Sequence, residues 1–462
     1  MNYSVALTSD INTRLNEHLL REDCQEDLCF ALWYPSKGEE RTTALLHDVI
    51  LPIEGEREVH GNASFSPKYF ERVLSLALKK GTGIAFLHSH LGPGWQNMSR
   101  DDVWAEYSHA PAIKAATGFP LVGLTLGTDG AWSARFWEKD KKKFARYWCQ
   151  GVRVIGDDGL NVTYADHLVP PPQYREQLKR TISAWGIKKQ QDLARLKIGV
   201  VGAGSVGSII IESLARMGVQ RIAIFDFDKI ETHNLDRLLH GTANNVGRYK
   251  VKVAADSAKK SATAENFDIQ QIKISIVEES AYRKLFDCDV LFSCVDRPWP
   301  RNILNYIAYA HLIPVVDGGI SIKKNRLGEL QNADWKAHAV FPTRRCLECL
   351  GQYDPGLVQM EREGHLDSQS YIDSLDDSHA LKRNENVFPF SLNVASLQVM
   401  QMLSFVIRPL GIPNAGEQNY HFVSGTLDVE KKKIQCGKNC LYNKIVSMGD
   451  HAGWQILRTK IK

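Results

Sequence analysis

The sequence predicts an α/β protein whose larger part is a mainly parallel sheet, preceded by an α+β domain. Three observations carry this expectation. At 462 residues the chain is too long for one typical core. Three consecutive prolines, Pro170 to Pro172, break any regular element and mark a boundary. Beyond them short apolar runs alternate with amphipathic stretches, the order that gives parallel strands with crossover helices.

Domains are therefore expected over 1–165 and 173–462. In the first, strand-like stretches (Ile84–Leu87, Leu121–Leu126, Ala131–Phe136) mix with helical ones (Pro67–Lys79, Ser99–Tyr107). The Lys139–Lys143 run reads as a solvated helix start. In the second, Lys197–Val201 is a strand, Ser208–Met217 a helix and Arg221–Asp226 a strand. Val290–Val295 and Ile313–Val316 are later strands. Composition is that of a soluble globular protein, 44% hydrophobic and 24% charged, and a net charge of +4 makes no case for nucleic acid. The stretch Ile198–Val219, taken as the most apolar region, is broken by five glycines and carries Glu212 and Arg216, so no membrane partner is expected. Nine cysteines without an export signal suggest a reduced, cytoplasmic setting.

The segment from Ile198 to Gly207 places Gly202, Gly204 and Gly207 as Gly-x-Gly-x-x-Gly between strand and helix. Such glycines allow a tight turn and close approach of backbone N–H groups to phosphate at a helix N-terminus. Asp226, about 20 residues on, can hold ribose hydroxyls. This much suits NAD as well as ATP. The following residues discriminate: Asn234, Arg237 and Lys250 offer the charge a triphosphate needs, and Asp296, after a strand, can hold Mg²⁺. An NAD dehydrogenase leaves Arg237, Lys250 and Asp296 without a role.

Asp226-Phe-Asp228, Asn234-Leu-Asp-Arg237 and Gly247-Arg-Tyr-Lys250 resemble the ThiF/MoeB-like family, which includes the adenylation domains of ubiquitin-activating enzymes. Leu238 stands where the family has Gln. The resemblance runs over most of residues 173–440 and implies a Rossmann-like fold. It also implies Asp226 on ribose, Asp228 beside it, Asn234, Arg237 and Lys250 near the phosphates, and Asp296 on Mg²⁺. It implies that Arg180 reaches a partner's active site in a homodimer. The reaction implied joins the C-terminal carboxylate of a small protein, usually ending in Gly-Gly, to the α-phosphate of ATP, releasing pyrophosphate.

Cys346-Leu-Glu-Cys349 and Cys436-Gly-Lys-Asn-Cys440 form two close pairs that suit a tetrahedral structural Zn²⁺, a site the family often has. No cysteine lies between Cys349 and Cys436, so a thioester on this chain is not expected. Cys288 and Cys294 are read as core residues.

In the first domain, His88 and His90 alternate on a strand and can ligate one metal from one face, with a carboxylate from the following helix. His88-Ser-His90, then Ser99-x-x-Asp102, resembles the JAMM (MPN-type) metalloprotease motif, with a spacer one residue longer and Leu91 where Pro is common. The resemblance covers about residues 10–150. It implies a catalytic Zn²⁺ on His88, His90 and Asp102, with Asp101 as rival, Ser99 in the site and an upstream glutamate as general base. Glu26 is the candidate, with Glu22 and the Glu54–Glu58 cluster as alternatives. Together the resemblances imply processing and activation of a ubiquitin-like protein with a C-terminal glycine, with a possible conjugating-enzyme-like partner, in a bacterial conjugation or sulfur-carrier system. The alternatives are adenylation of a peptide or small-molecule carboxylate with a binding-only first domain, and an inactive scaffold.

Overall fold

The computed structural model describes residues 1–141, 143–157, 159–367, 385–409, 416–430 and 435–453. The chain divides into two compact units. One comprises Met1–Pro170, Ala310–Leu312 and Lys444–Gly453, the other Pro171–Tyr309 and Ile313–Asn443. The sequence boundaries thus miss two short segments: Ala310–Leu312 and Lys444–Gly453 group with the first unit. Packing of the latter explains this, since Ser447 Oγ lies 2.9 Å from His47 Nδ1 and His451 stacks on Tyr34.

The first unit is built on nine strands: β1 (Asn2–Thr8), β2 (Leu28–Lys37), β3 (Arg41–Ile50), β6 (Gly83–Ser89), β7 (Leu121–Leu126), β8 (Trp132–Asp140), β9 (Lys143–Trp148), β10 (Gly151–Gly156) and β11 (Gly159–Tyr164). They run in the order β11-β10-β1-β3-β2-β6-β7-β8-β9, while β4 (Arg57–His60) and β5 (Asn62–Phe65) form a separate hairpin. The middle of the sheet is buried on both faces: β2 is buried at every position but its last, and β6 and β7 throughout. Cys29, Ala31 and Trp33 of β2 pack with α1 (Ser9–Leu19), through Ile11, Leu15 and Leu19. Leu28, Phe30 and Leu32 pack with α2 (Pro67–Lys80) and α3 (Arg100–Thr117). On β6 the same alternation sends Ile84 and Phe86 toward α2 and α3, and a period of two sends His88 that way too. The lysine run is not a helix start. It joins β8 to β9, with Asp140 paired to Lys143, because alternating apolar residues on both sides favour a hairpin.

The second unit has the sheet order β14-β13-β12-β15-β16-β17-β18-β19. β12 (Lys197–Val201), β13 (Arg221–Phe225), β14 (Asp268–Ile272), β15 (Val290–Ser293) and β16 (Val315–Lys324) are parallel. β17 (Leu330–Val340), β18 (Gln418–His421) and β19 (Thr426–Val429) extend it antiparallel, which the expected run of parallel strands did not include. The physical cause is a tight turn after β16, where Asn325 Oδ1 accepts from the N–H groups of Leu327 and Glu329 and Gly328 takes a positive φ of 82°. Along the chain come α4 (Lys179–Trp185), α5 (Ile187–Arg195), α6 (Ser205–Arg216), α7 (Lys250–Ser261), α8 (Glu279–Leu285), α9 (Pro298–Ala310), α10 (Pro355–Arg362) and α11 (Phe388–Ile407). Among the described residues the longest apolar helix is α11, not the Ile198–Val219 region. By length and composition alone α11 could cross a membrane, but 67% of its most apolar window is buried inside this unit.

The strand order reverses at β12: its neighbours are β13 on one side and β15 on the other. A crevice opens at such a switch point, beyond the carboxyl ends of the strands. The α/β fold thus positions its loops for a ligand there.

Candidate functional site

The crevice of the second unit holds a cavity of about 940 Å³. Its walls include Gly202, Gly204, Asp226, Asp228, Asn234, Arg237, Lys250 and Asp296. Eight candidates separated by up to 94 positions therefore meet in one space. Gly207 sits beneath it, on the first turn of α6.

The three glycines are required for different reasons. Gly202 has φ +94°, and a Cβ there would lie 2.4 Å from Cys294 O. A Cβ on Gly207 would lie 1.9 Å from Gly202 O. Nothing in the protein stands within 4 Å of a Cβ on Gly204, which caps α6 and faces the cavity. The open space at Gly204, at a helix N-terminus with positive backbone potential, fits an anionic ligand approaching the main chain.

Asp226 follows β13 and is braced from both sides. Its Oδ2 accepts from Ala203 N at 2.7 Å and its Oδ1 from Asp228 N at 2.8 Å. Burial pushes its carboxyl above the usual carboxylate range, against the pull of Lys250. Lys250 Nζ donates to Asp228 Oδ2 at 2.7 Å, so Asp228 holds the lysine as well as flanking Asp226. Arg237 donates to His233 O at 2.6 Å and to Asp236 Oδ1 at 2.9 Å. Asn234 faces partly inward to its own loop, where its Oδ1 accepts from Glu231 N at 3.0 Å. Leu238, the departure from the family pattern, is buried with Ile230 and Val253, so an apolar side chain anchors the Arg237 loop. Arg180 is exposed on α4 and is not among the residues lining its own chain's cavity.

Asp296 is exposed in the loop after β15. That loop is set by Arg301, a residue the sequence did not single out. Its guanidinium donates to Val295 O at 2.9 Å and to the buried Asp317 at 3.0 Å, and Asp317 also accepts from Ser293 Oγ at 2.5 Å. The Asp-Gly-Gly end of an apolar strand was the available signal. Cys294 corrects one expectation: Cys288 is in the core, but Cys294 is half-buried and lines the cavity. Burial pushes its thiol well up, so it is not a poised nucleophile.

The four late cysteines converge, with ligand atoms all within 4.8 Å of one another. Cys440 Sγ lies 3.8 Å from both Cys346 Sγ and Cys349 Sγ. A tetrahedron with Zn–S bonds of about 2.3 Å has edges of about 3.8 Å. Backbone N–H groups also point at sulfur, Cys346 N at Cys436 Sγ (3.1 Å) and Cys349 N at Cys346 Sγ (3.3 Å). The donor set and spacing fit a structural divalent metal.

In the first unit, His88, His90 and Asp102 form a second such group among the described residues. His88 Nε2 and His90 Nε2 are 3.2 Å apart, and Asp102 oxygens lie 3.4 and 3.1 Å from them. Ligand bonds of about 2.0–2.1 Å in a tetrahedron give edges of about 3.3–3.4 Å. Asp101 is exposed and outside the group, so the ligand set is the one with Asp102. Ser99 explains why: it caps α3, its Oγ accepting from Asp102 N at 3.1 Å while Asp102 Oδ2 accepts from Ser99 N at 2.7 Å. Burial alone would raise the Asp102 carboxyl, but hydrogen bonds from His88 and His90 hold it well below its usual range. The same bond to Asp102 raises His90.

Glu26 is placed by strand register. Leu28 pairs with His88, and Ser89 N donates to Asp27 O at 3.0 Å, so the next antiparallel pair sets Glu26 opposite His90. Its charge acts on His90. Glu56 is instead paired with Arg72, and Glu22, Glu54 and Glu58 are exposed. Beneath the site lies a pair the sequence did not reveal. Arg135, fully buried, binds Glu106, one helical turn beyond Asp102, and donates to Thr125 Oγ1 at 2.5 Å. Thr125 Oγ1 in turn lies 3.3 Å from His88 Nε2. A carboxylate four residues after a candidate ligand on one helix was the only available signal.

Comparison with known proteins adds family membership. The sequence model of the ThiF family matches residues 174–440. A tRNA threonylcarbamoyladenosine dehydratase 2 of Saccharomyces cerevisiae is 28% identical over 212 residues, 46% of each chain. An adenylyltransferase and sulfurtransferase UBA4 of Candida glabrata is 27% identical over 233 residues, 48% of this chain and 52% of that one. The chain thus spans about half the length of these curated relatives. Among solved structures, Escherichia coli MccB with AMPCPP and MccA aligns with a TM-score of 0.44 at 17% identity, over 58% of this chain and 74% of that one.

Proposed function

The chain belongs to the ThiF family, and from that premise we propose that its second unit adenylates the C-terminal carboxylate of a ubiquitin-like protein ending in glycine. The observation that carries this reading is the single cavity joining Gly204, Asp226, Arg237, Lys250 and Asp296. ATP is the co-substrate. Gly204 N and its neighbours face the phosphates, Asp226 the ribose, and Arg237 and Lys250 offset phosphate charge, with Asn234 and Asp228 holding that geometry. Asp296 would hold Mg²⁺, which supplies charge neutralisation on the phosphates. A carboxylate oxygen attacks the α-phosphorus, the bond from that phosphorus to the bridging oxygen breaks, and pyrophosphate leaves with the electron pair. Positioning and charge suffice, so no general base is required. Zn²⁺ on Cys346, Cys349, Cys436 and Cys440 has a structural role.

The first unit is read as a JAMM-type isopeptidase or processing domain. His88, His90 and Asp102 would hold Zn²⁺, which supplies Lewis acidity for attack of water on a peptide carbonyl. Glu26 takes the proton of that water, and Ser99 keeps Asp102 oriented. Processing exposes the glycine carboxylate that adenylation then uses. We assign the chain to a cytoplasmic bacterial conjugation or sulfur-carrier system, where reduced cysteines persist. A homodimer in which exposed Arg180 serves the partner's cavity, and a conjugating-enzyme-like acceptor, complete the proposal.

A second reading, adenylation of a peptide carboxylate, is favoured by the lack of any cysteine between Cys349 and Cys436. ATP–pyrophosphate exchange separates the two. Stimulation by a Gly-ended ubiquitin-like protein supports the first, stimulation by short peptides alone supports the second, and no exchange with either overturns both.

A further inference from the structure

We propose that Glu212 is a positioning residue for the triphosphate-facing side chains, tying three separate elements to one carboxylate. The proposal rests on the nucleotide reading of the cavity. Glu212 lies on α6, the helix that the glycine loop caps, and only 9% of it is exposed. Its helix neighbours Ile209, Ile210, Leu214 and Ala215 are buried and apolar, so a carboxylate here is costly unless each oxygen is satisfied.

Both oxygens are satisfied, and from different elements. Oε1 accepts from Arg216 Nε at 2.7 Å, one turn along α6. Oε2 accepts from Ser261 Oγ at 2.9 Å, the last residue of α7, whose first residue is Lys250. His240 Nε2 lies 3.2 Å from the same Oε2. His240 follows Arg237 by three residues and takes φ +64°, a left-handed conformation that a side chain adopts at a cost. That backbone is what aims the ring back at α6.

The consequence concerns Arg237 and Lys250. Arg237 donates within its own loop, to His233 O and Asp236, so its guanidinium goes where the loop goes. Apolar packing holds that loop from outside, Leu235 and buried Leu238 against Val253 of α7, and so does the polar contact of His240 with Glu212. Apolar packing resists separation but permits sliding; a carboxylate with three donors fixes direction. Glu212 thereby sets the spacing between α6 beneath the phosphates, the Arg237 loop on one side and α7 with Lys250 on the other. Asp226, which faces the ribose, is braced by Ala203 and Asp228 and does not depend on it.

The experiment measures MgATP and AMP affinity by calorimetry on the full chain, for Glu212→Ala, Glu212→Gln and His240→Ala. The loss of one charge-assisted contact predicts MgATP binding weakened about tenfold in Glu212→Ala, and AMP binding by less than about twofold. Glu212→Gln, keeping one acceptor oxygen, falls between. His240→Ala, at a partly exposed position, reproduces the ATP-selective loss and keeps the test available should Glu212→Ala not fold. Equal losses for ATP and AMP, or none, overturn the positioning role while leaving the nucleotide site standing. Failure of the unaltered chain to bind either nucleotide overturns the nucleotide reading, and this proposal with it.

Discussion

Replacing Gly204 with alanine separates what the glycine loop does for the fold from what it does for a ligand. Gly204 has φ −77° and ψ −155°, which alanine adopts without strain, and an added Cβ meets nothing within 4 Å. Loss of glycine's freedom in the unfolded chain should then raise stability by about 0.4–1 kcal/mol. The same change at Gly207 drives a Cβ to 1.9 Å from Gly202 O, and at Gly202 to 2.4 Å from Cys294 O on a φ of +94°. Both must move backbone, and each should cost about 2 kcal/mol or more. For ligand binding the order reverses in meaning. The Gly204→Ala methyl points into the cavity where a phosphate would approach the main chain. Displacing that phosphate forfeits one or two hydrogen bonds to a charged group, about 1.5–3 kcal/mol each, so ATP affinity should fall roughly tenfold to a hundredfold or more. Urea unfolding gives the first quantity and calorimetric titration with MgATP the second. A Gly204→Ala protein that binds ATP as tightly as the unaltered chain would refute the reasoning, and so would one destabilised as much as Gly207→Ala.

Three further outcomes are expected. Cys349→Ser should abolish the four-cysteine site, seen as loss of about one equivalent of bound zinc and a melting temperature lowered on the order of 5 °C or more. His90→Ala removes one of three clustered ligands in the first unit, and a second metal equivalent should be lost by elemental analysis along with any isopeptidase cleavage. Asp226 gives a pH dependence. Burial raises its folded carboxyl above the ordinary carboxylate range, so the folded state holds that proton more tightly than the unfolded one. Its contribution therefore favours folding at low pH and is lost as pH rises through the raised value. Relative to the unaltered chain, Asp226→Asn should gain stability progressively as pH rises from the ordinary carboxylate range through the raised value, read in urea melts. A flat difference across that window would show that burial does not govern this group.

The legible parts of this protein were those written in local chemistry. Glycine spacing between an apolar run and a helix marked the loop at Gly202–Gly207, and the paired cysteines marked a metal-sized cluster, because both depend on short-range geometry. The Lys139–Lys143 run was misread for the opposite reason. Five charged residues look alike in a helix start and in a hairpin connection, and only the pairing of Asp140 with Lys143 decides between them. Ser99-x-x-Asp102 favoured Asp102 over its rival Asp101 in the sequence, and the Ser99 cap shows how that carboxylate is turned inward.

The sequence by itself determined the α/β class, the ThiF family and the residue types available for a triphosphate and two metal clusters. Only the tertiary structure decided what supports them: Arg301 and Asp317 under the Asp296 loop, Arg135 and Glu106 under His88, and Glu212 between α6, α7 and the Arg237 loop. Those partners lie between 16 and 49 positions apart in the chain. No periodicity or motif encodes such pairings, because the buried charges that need them find each other only once strands and helices have packed.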